Sequence, residues 1–448
     1  MFIDFFLKRF EKQKDNPAII WRDKEYTYEW LTYQIKYLIN IFNQNGEIRS
    51  KVISLEADYS PYSIAILFSL IELGCIVVPI RDSLVDVKKS EYCQITEIEK
   101  VIKINGESFE IIEKEKKSVR NNLLLELKNK RRPGLIIFSS GTTGKSKAIV
   151  HDFSLFLQKF NIPKKGKRVI SFMLFDHIGG INTLFQILSS NGCLVVVKER
   201  IPYDICRVIE KYKVQALPVS PTFLNLLILS RAYNIYDLSS LETISYGSEV
   251  MAESTLKKLN EIFPGVKIQQ IYGLSEAGVF NSKSKSGNSL WVKLDEESVK
   301  IRIVNGVLQI KSLFSLLGYI NAENPFTEDG WLITGDIAEK DGEYIKILGR
   351  KSDIINVGGE KVFPVEVESV IQLMYGVEEV AVMGEKNPIT GQMVKAIIKL
   401  NTNETLGEFR KRMKEFCKDK LPTYKIPQKV ILTSKIMHSE RFKKSRNP

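Results

Sequence analysis

Ser139, Ser140, Gly141, Thr142, Thr143, Gly144, Lys145, Ser146 and Lys147 put hydroxyls, two glycines and two lysines into one short run. That combination is suited to holding an anion. The glycines let the backbone turn tightly and aim N–H groups at phosphate oxygens. The hydroxyls add donors, and the lysines add charge. The apolar stretch 134–138 precedes the run and reads as a buried strand. A polar hairpin turn is the plainer alternative, but turns seldom gather so many phosphate-compatible donors. A Walker A loop needs a glycine five residues before Gly144. Position 139 is serine, which makes a P-loop kinase or ATPase a minority reading.

Further groups follow along the chain. The apolar run 168–175 ends in Asp176-His177-Ile178-Gly179-Gly180. Strand ends followed by ionisable residues and glycines are where α/β sheets place ligands. A capping aspartate and a core histidine are the structural alternative. Tyr272-Gly273-Leu274-Ser275-Glu276 comes after a short strand, 269–271. Glu276 offers the carboxylate that a hard cation between phosphates requires. Thr334-Gly335-Asp336, taken alone, is a turn. Glu366 and Glu368 follow Pro364 and read as helix-start electrostatics. A basic tail such as 441–446 is ordinarily solvated.

In this order and at these distances the segments resemble the adenylate-forming superfamily: acyl-CoA synthetases, peptide-synthetase adenylation domains and luciferases. Its phosphate loop reads Ser/Thr-Ser-Gly-Ser/Thr-Thr-Gly-x-Pro-Lys-Gly. Here Ser146 and Ala148 replace the proline and the last glycine. The resemblance implies that 138–147 holds the β- and γ-phosphates of ATP. It implies that Gly247, Ser248 and Glu249 pack their backbone against adenine, and that Tyr272, next to Gly273, stacks on it. Ser275 would bind the α-phosphate and Glu276 the magnesium ion. Asp336, in a close match to Gly-Trp-x-x-Thr-Gly-Asp, would accept the ribose hydroxyls, with Arg350 beside it. Asp176, His177, Ile271, Val279 and Phe280 would line the acyl pocket. Phe-Asp-His at 175–177 aligns with both acyl-CoA synthetases and amino-acid adenylation domains. Ser352 takes the hinge position, and Gly358-Gly359 would line a thiol tunnel. The family's Gly-Lys-x-x-Arg matches Lys443 and Arg446, with Phe442 in place of glycine. By that resemblance Lys443 would be the adenylation lysine, with Lys444 as the alternative register.

The elements that must position these groups are α/β. Helical spacing at 28–42, a strand at 51–55, a helix at 61–73 and a strand at 75–79 give a β-α-β rhythm. Segment 114–132 is charged and reads as a helix plus linker. Further buried strands are read at 194–197, 216–219 and 242–246, and a helix at 223–229. Segment 290–349 alternates over short strands, with turns at Asn305-Gly306 and Asp341-Gly342, and reads as antiparallel. The expected fold is mixed α/β: a large N-terminal domain of parallel sheets with a small antiparallel region, then a small mobile α+β domain. By resemblance the boundary separates 1–349 from 350–448.

With 448 residues, 44% hydrophobic and 26% charged, the chain reads as a soluble globular protein of two or three domains. Five scattered cysteines without C-x-x-C argue for a reducing compartment, hence the cytoplasm, and against a zinc site. Asp4 interrupts the apolar start, which does not read as a signal peptide. The longest apolar run, 64–80, carries Glu72 and reads as a buried helix and strand rather than a membrane span. The net charge of +12 comes without any nucleic-acid motif. Segment 410–446 concentrates it, with 13 Lys/Arg against three acids. The resemblance implies a two-step ATP- and magnesium-dependent acid–thiol ligase. An acyl-adenylate forms, and then coenzyme A or a phosphopantetheine arm takes the acyl group. Carrier proteins are typically acidic, so one is a candidate partner for the basic tail. The alternatives are an amino-acid adenylating enzyme that loads a carrier, and an inactive nucleotide-binding protein of the same fold.

Overall fold

The computed structural model describes residues 2–44, 48–114, 119–140, 146–439 and 442–444, with the backbone alone at Ser140. Gly141, Thr142, Thr143, Gly144 and Lys145 therefore lie outside the described residues. Two seven-stranded sheets form the larger part. One carries Arg168–Ile170, Ala216–Val219, Thr243–Tyr246 and Lys267–Gln270 in parallel, with Cys193–Val195 and Pro17–Trp21 on its other side. The other has a parallel centre of Gly134–Ser140, Ile76–Ile80, Val52–Glu56 and Lys100–Asn105. Its edges are antiparallel, through Ser146–Asp152 and Gly318–Tyr319 on one side and Ser108–Glu113 on the other.

The run 64–80 is the buried helix and strand expected. Pro61–Glu72 opens with a capping box between Ser60 and Ser63 and has Pro61 in its first turn. It is buried on nearly every side, which is why its hydrophobicity shows no stripe. Glu72, the acid that breaks the run, accepts the backbone N–H groups of Phe2 and Ile3. It thus anchors the chain just before the helix Asp4–Lys12. Among the described residues no helix is long and apolar enough to cross a membrane.

Segment 290–349 is antiparallel as expected. Ser282–Ser284, Val292–Leu294, Tyr344–Arg350, Leu332–Asp341, Val307–Lys311 and Lys300–Val304 make a six-stranded sheet. The last sheet joins Ile355–Val357, Glu360–Val362, Val377–Asn387 and Gly391–Leu400, and Lys429–Leu432 pairs with the last of these. Pro364–Ile371 and Leu406–Lys418 pack on it around Val367, Ile371, Phe409 and Met413.

Several boundaries differ from the sequence reading. The strand expected over 168–175 ends at Ile170. Beyond it Ser171 still bonds to Val195, but His177 N–H closes a turn onto Leu174 O. Phe172, Leu174 and Phe175 are buried all the same, so their apolar character reports packing rather than ladder pairing. The strand expected over 194–197 is Cys193–Val195. Between 114 and 132 the helix is short, Asn122–Asn129.

Candidate active site

Two strands of the described residues flank the phosphate-loop run. Gly134–Ser140 and Ser146–Asp152 pair antiparallel, with Ser139 opposite Lys147 and Ser140 opposite Ser146. Gly318–Tyr319 pairs with the second strand of the hairpin. Lys147 Nζ lies 5.2 Å from the Tyr319 ring centroid, and the Tyr319 hydroxyl donates to Glu276 Oε1 at 2.8 Å. The hairpin, Tyr319 and Glu276 therefore form one wall. Glu276 supplies hard oxygen donors, the kind a phosphate-bridging magnesium ion takes. A single carboxylate suits a cation brought in on the substrate's phosphates, and among the described residues no cluster of three metal-ligating side chains exists.

Tyr272, Asp336 and Arg350 meet in a second cluster. Asp336 stands opposite Arg350 in the antiparallel ladder. Its Oδ1 lies 2.9 Å from Arg350 Nε, and its Oδ2 accepts the Tyr272 hydroxyl at 2.7 Å. Arg350 also donates to Thr334 O at 2.7 Å, and Thr334 Oγ1 accepts from Asp336 N–H. Burial pushes the Asp336 carboxyl upward, opposed by Arg350 and the Tyr272 hydroxyl. Burial works against the Arg350 guanidinium, but Asp336, Tyr272, Glu276 and Asp353 together outweigh it and raise its pKa. Arg350 and the Tyr272 hydroxyl both favour the carboxylate form of Asp336, against its burial.

Between the clusters runs the turn 272–280. His151 Nε2 bonds to the Ser275 carbonyl at 2.8 Å. A carbonyl only accepts, so Nε2 carries a proton. Burial, chiefly, with Lys159 nearby, lowers its pKa to about 4. Gly247 lies against Ile271, whose carbonyl would stand 2.6 Å from any added Cβ. Ser248 takes φ = 68°, a left-handed conformation natural to the glycine that the resemblance leads one to expect there.

His177 is buried. Its Nδ1 accepts Gly179 N–H at 3.0 Å and caps the helix Ile178–Ser189. Gly180 is forced by close approach, because an added Cβ would fall 2.0 Å from Leu174 O. Asp176 is buried, with Oδ2 3.8 Å from Arg81 Nε. Ile271 and Val279 are half-buried and Phe280 is buried.

The tail corrects two expectations. Glu368 is not helix-start electrostatics. Its Oε1 accepts Val382 N–H, and its Oε2 pairs with Lys444 Nζ at 2.9 Å. Lys444 N–H also donates to Glu249 Oε1 at 2.6 Å, while Glu249 Oε2 accepts from Thr222. Lys444 is thus occupied as an anchor, and the Glu249 side chain, not only its backbone, has a task. Phe442 keeps a left-handed φ of 49°, where the family has glycine. Its ring packs against Phe172, Phe223 and His438, and its carbonyl accepts from Ser220 Oγ at 2.6 Å. Lys443 is delivered between these two fixed neighbours.

Ser352 and Gly358-Gly359 stand apart from these contacts. Ser352 is exposed in the one-turn helix Lys351–Asp353. Gly358 and Gly359 form the exposed turn between Ile355–Val357 and Glu360–Val362, with φ of 60° and 93°. Sequence reasoning missed Tyr319, His151 and Arg81, and gave Thr334 no role although it lies in the Thr-Gly-Asp motif. Of the first three only His151 had a signal, as one of three histidines, four residues past Lys147.

Residues 6–293 match the family described as AMP-binding enzyme, and residues 366–443 match the AMP-binding enzyme C-terminal domain. A putative acyl–CoA ligase of Bacillus subtilis is 25% identical over 91% of this chain and 90% of its own. A 2-succinylbenzoate–CoA ligase of Listeria monocytogenes is 24% identical over 98% and 97%. Among solved structures, the anthranilate CoA ligase AuaEII in complex with anthranoyl-AMP superposes with a TM-score of 0.84. It covers 99% of this chain and 95% of its own at 18% identity. ATP-bound MatB of Rhodopseudomonas palustris reaches 0.77, over 97% and 95%, at 18% identity.

Proposed function

Because this chain belongs to the AMP-binding enzyme family, we propose that it joins a carboxylic acid to a thiol through an acyl-adenylate. The observation that carries the reading is the linked pair of clusters. Tyr272, Asp336 and Arg350 form a polar seat suited to a nucleoside, and Glu276 faces the phosphate hairpin through Tyr319. Asp336 takes the ribose hydroxyls, Ser275 the α-phosphate, and Glu276 the magnesium that neutralises phosphate charge. Carboxylate and phosphate repel each other as they meet, and Lys443 lowers that barrier electrostatically. Gly141, Thr142, Thr143, Gly144 and Lys145 hold the outer phosphates.

A plain acyl acid is favoured over an amino acid. Asp176 is the only carboxylate of the proposed pocket positions, and Arg81 beside it already balances its charge. Residues 350–448 act as a small domain that turns about Ser352 after adenylation, withdrawing Lys443 and presenting Gly358-Gly359 to the thiol. Coenzyme A is the first candidate acceptor. An acidic carrier protein is the second, supported by the exposed Arg410, Lys411 and Lys414 on the outer face of Leu406–Lys418.

Product analysis tests the reading. Acid, ATP and coenzyme A should give AMP, pyrophosphate and a thioester. Lys443→Ala should lose AMP formation yet still make thioester from supplied acyl-adenylate. ADP as the product would sink the proposal.

A further inference from the structure

Lys159 follows the helix Phe153–Gln158 and directs its ε-amine at the turn that lines the proposed acyl pocket. Nζ donates to the Val279 carbonyl at 2.6 Å and to Asn182 Oδ1 at 3.1 Å. The ring centroids of Phe156, Phe280 and Phe314 lie 5.1, 5.9 and 5.7 Å from it. A Cβ at Gly278 would come within 3.0 Å of Nζ, so glycine there makes room for the amine. Asn182 belongs to the helix that His177 caps. The amine thus sits between the pocket segment 279–280 and the helix whose first residues border Asp176.

A cation in this position is costly unless something negative meets it. Among the described residues no carboxylate is ion-paired with Lys159. Burial, with Lys164 adding to it, draws the Lys159 pKa down to about 7. Lys164 donates to Asn281 Oδ1 at 2.6 Å, and burial lowers its pKa as well. Two lysines therefore flank 279–281, and Asp295 acts on Lys164. Had the task been only to tether a carbonyl and an amide oxygen, a neutral amide side chain would meet it without burying an ammonium. An ammonium has three donors, and two are in use.

We infer that Lys159 reads the far end of the acyl substrate, and that the acid activated carries a second carboxylate which pairs with this ammonium. The inference rests on the acyl-adenylate reading of the site. The aromatic walls then contact the hydrocarbon between the two carboxylates, and His177 and Lys443 serve the reacting end.

The test is acid-dependent AMP release by the full chain with acids matched in length. Hexanoate is set against adipate, octanoate against suberate, and 8-hydroxyoctanoate serves as the uncharged acceptor. The diacid of a pair should exceed its monoacid in kcat/KM by about tenfold or more, as a desolvated charge pair implies. Lys159→Met should lose about that factor with the diacid and stay within about twofold with the monoacid. A wild-type preference for monoacid or hydroxy acid overturns the inference, even if the variant fails to fold. So does an equal loss on both acids in Lys159→Met, the mark of a mere tether. AMP release with no acid of any class would instead remove the acyl-adenylate reading, and this inference with it.

Discussion

Asp336 carries two tasks at once, holding Tyr272 and Arg350 and receiving the ribose in the proposed role. Asp336→Ala should raise the KM for ATP by about tenfold or more, the loss expected of a charged hydrogen-bond acceptor. Steady-state kinetics over ATP concentration check this, and an unchanged KM removes ribose binding as its role. His151 gives a pH prediction. Folded, it takes a proton only near pH 4, against an ordinary value of 6.5. Between those values the unfolded chain binds more protons, so stability falls as pH falls from 6.5 towards 4. The full shift corresponds to about 3 kcal/mol. Replacing His151 with Gln should flatten that acid limb in urea titrations run at pH 6.5, 5.5 and 4.5. Asp336 and Arg350 were legible in the sequence because each lies within a continuous motif. Tyr319 was not, because it meets Glu276 across 43 residues, and nothing local marks it. The same holds for the identity of the His151 partner, 124 residues away.

At the scale of elements, the sequence located the α/β rhythm and the antiparallel region because buried runs and turn residues are local signals. It overextended 168–175 because apolar character reports burial, and Phe172, Leu174 and Phe175 are buried without pairing. It read Glu366 and Glu368 alike. The helix dipole concerns only position, whereas the fate of Glu368 was decided by Lys444, 76 residues on. Ser248 tests whether turn geometry is intrinsic. Its φ of 68° costs a serine more than a glycine. Ser248→Gly should stabilise the chain by about 1 kcal/mol if relief of strain outweighs the added freedom of the unfolded chain. Thermal unfolding reads this directly, and a lowered midpoint would show that the serine is not strained.

Across the whole molecule, charge is distributed unevenly. In Leu406–Lys418 the buried face is Phe409, Met413 and Cys417, while Arg410, Lys411 and Lys414 face outward. Reversing all three charges should raise the KM for an acidic carrier several-fold, most at low salt, and leave adenylation unchanged. Equal thioester rates at low and moderate salt would make this face an ordinary solvated surface. In the proposed reaction adenylation uses the two clusters, the hairpin and Lys443, and no thiol. The most direct measurement is therefore exchange of labelled pyrophosphate into ATP, with coenzyme A and carrier protein both withheld, across mono- and dicarboxylic acids. The account predicts exchange that depends on the acid and on magnesium and proceeds without thiol. Exchange absent with every acid, or appearing only when a thiol is added, would contradict it.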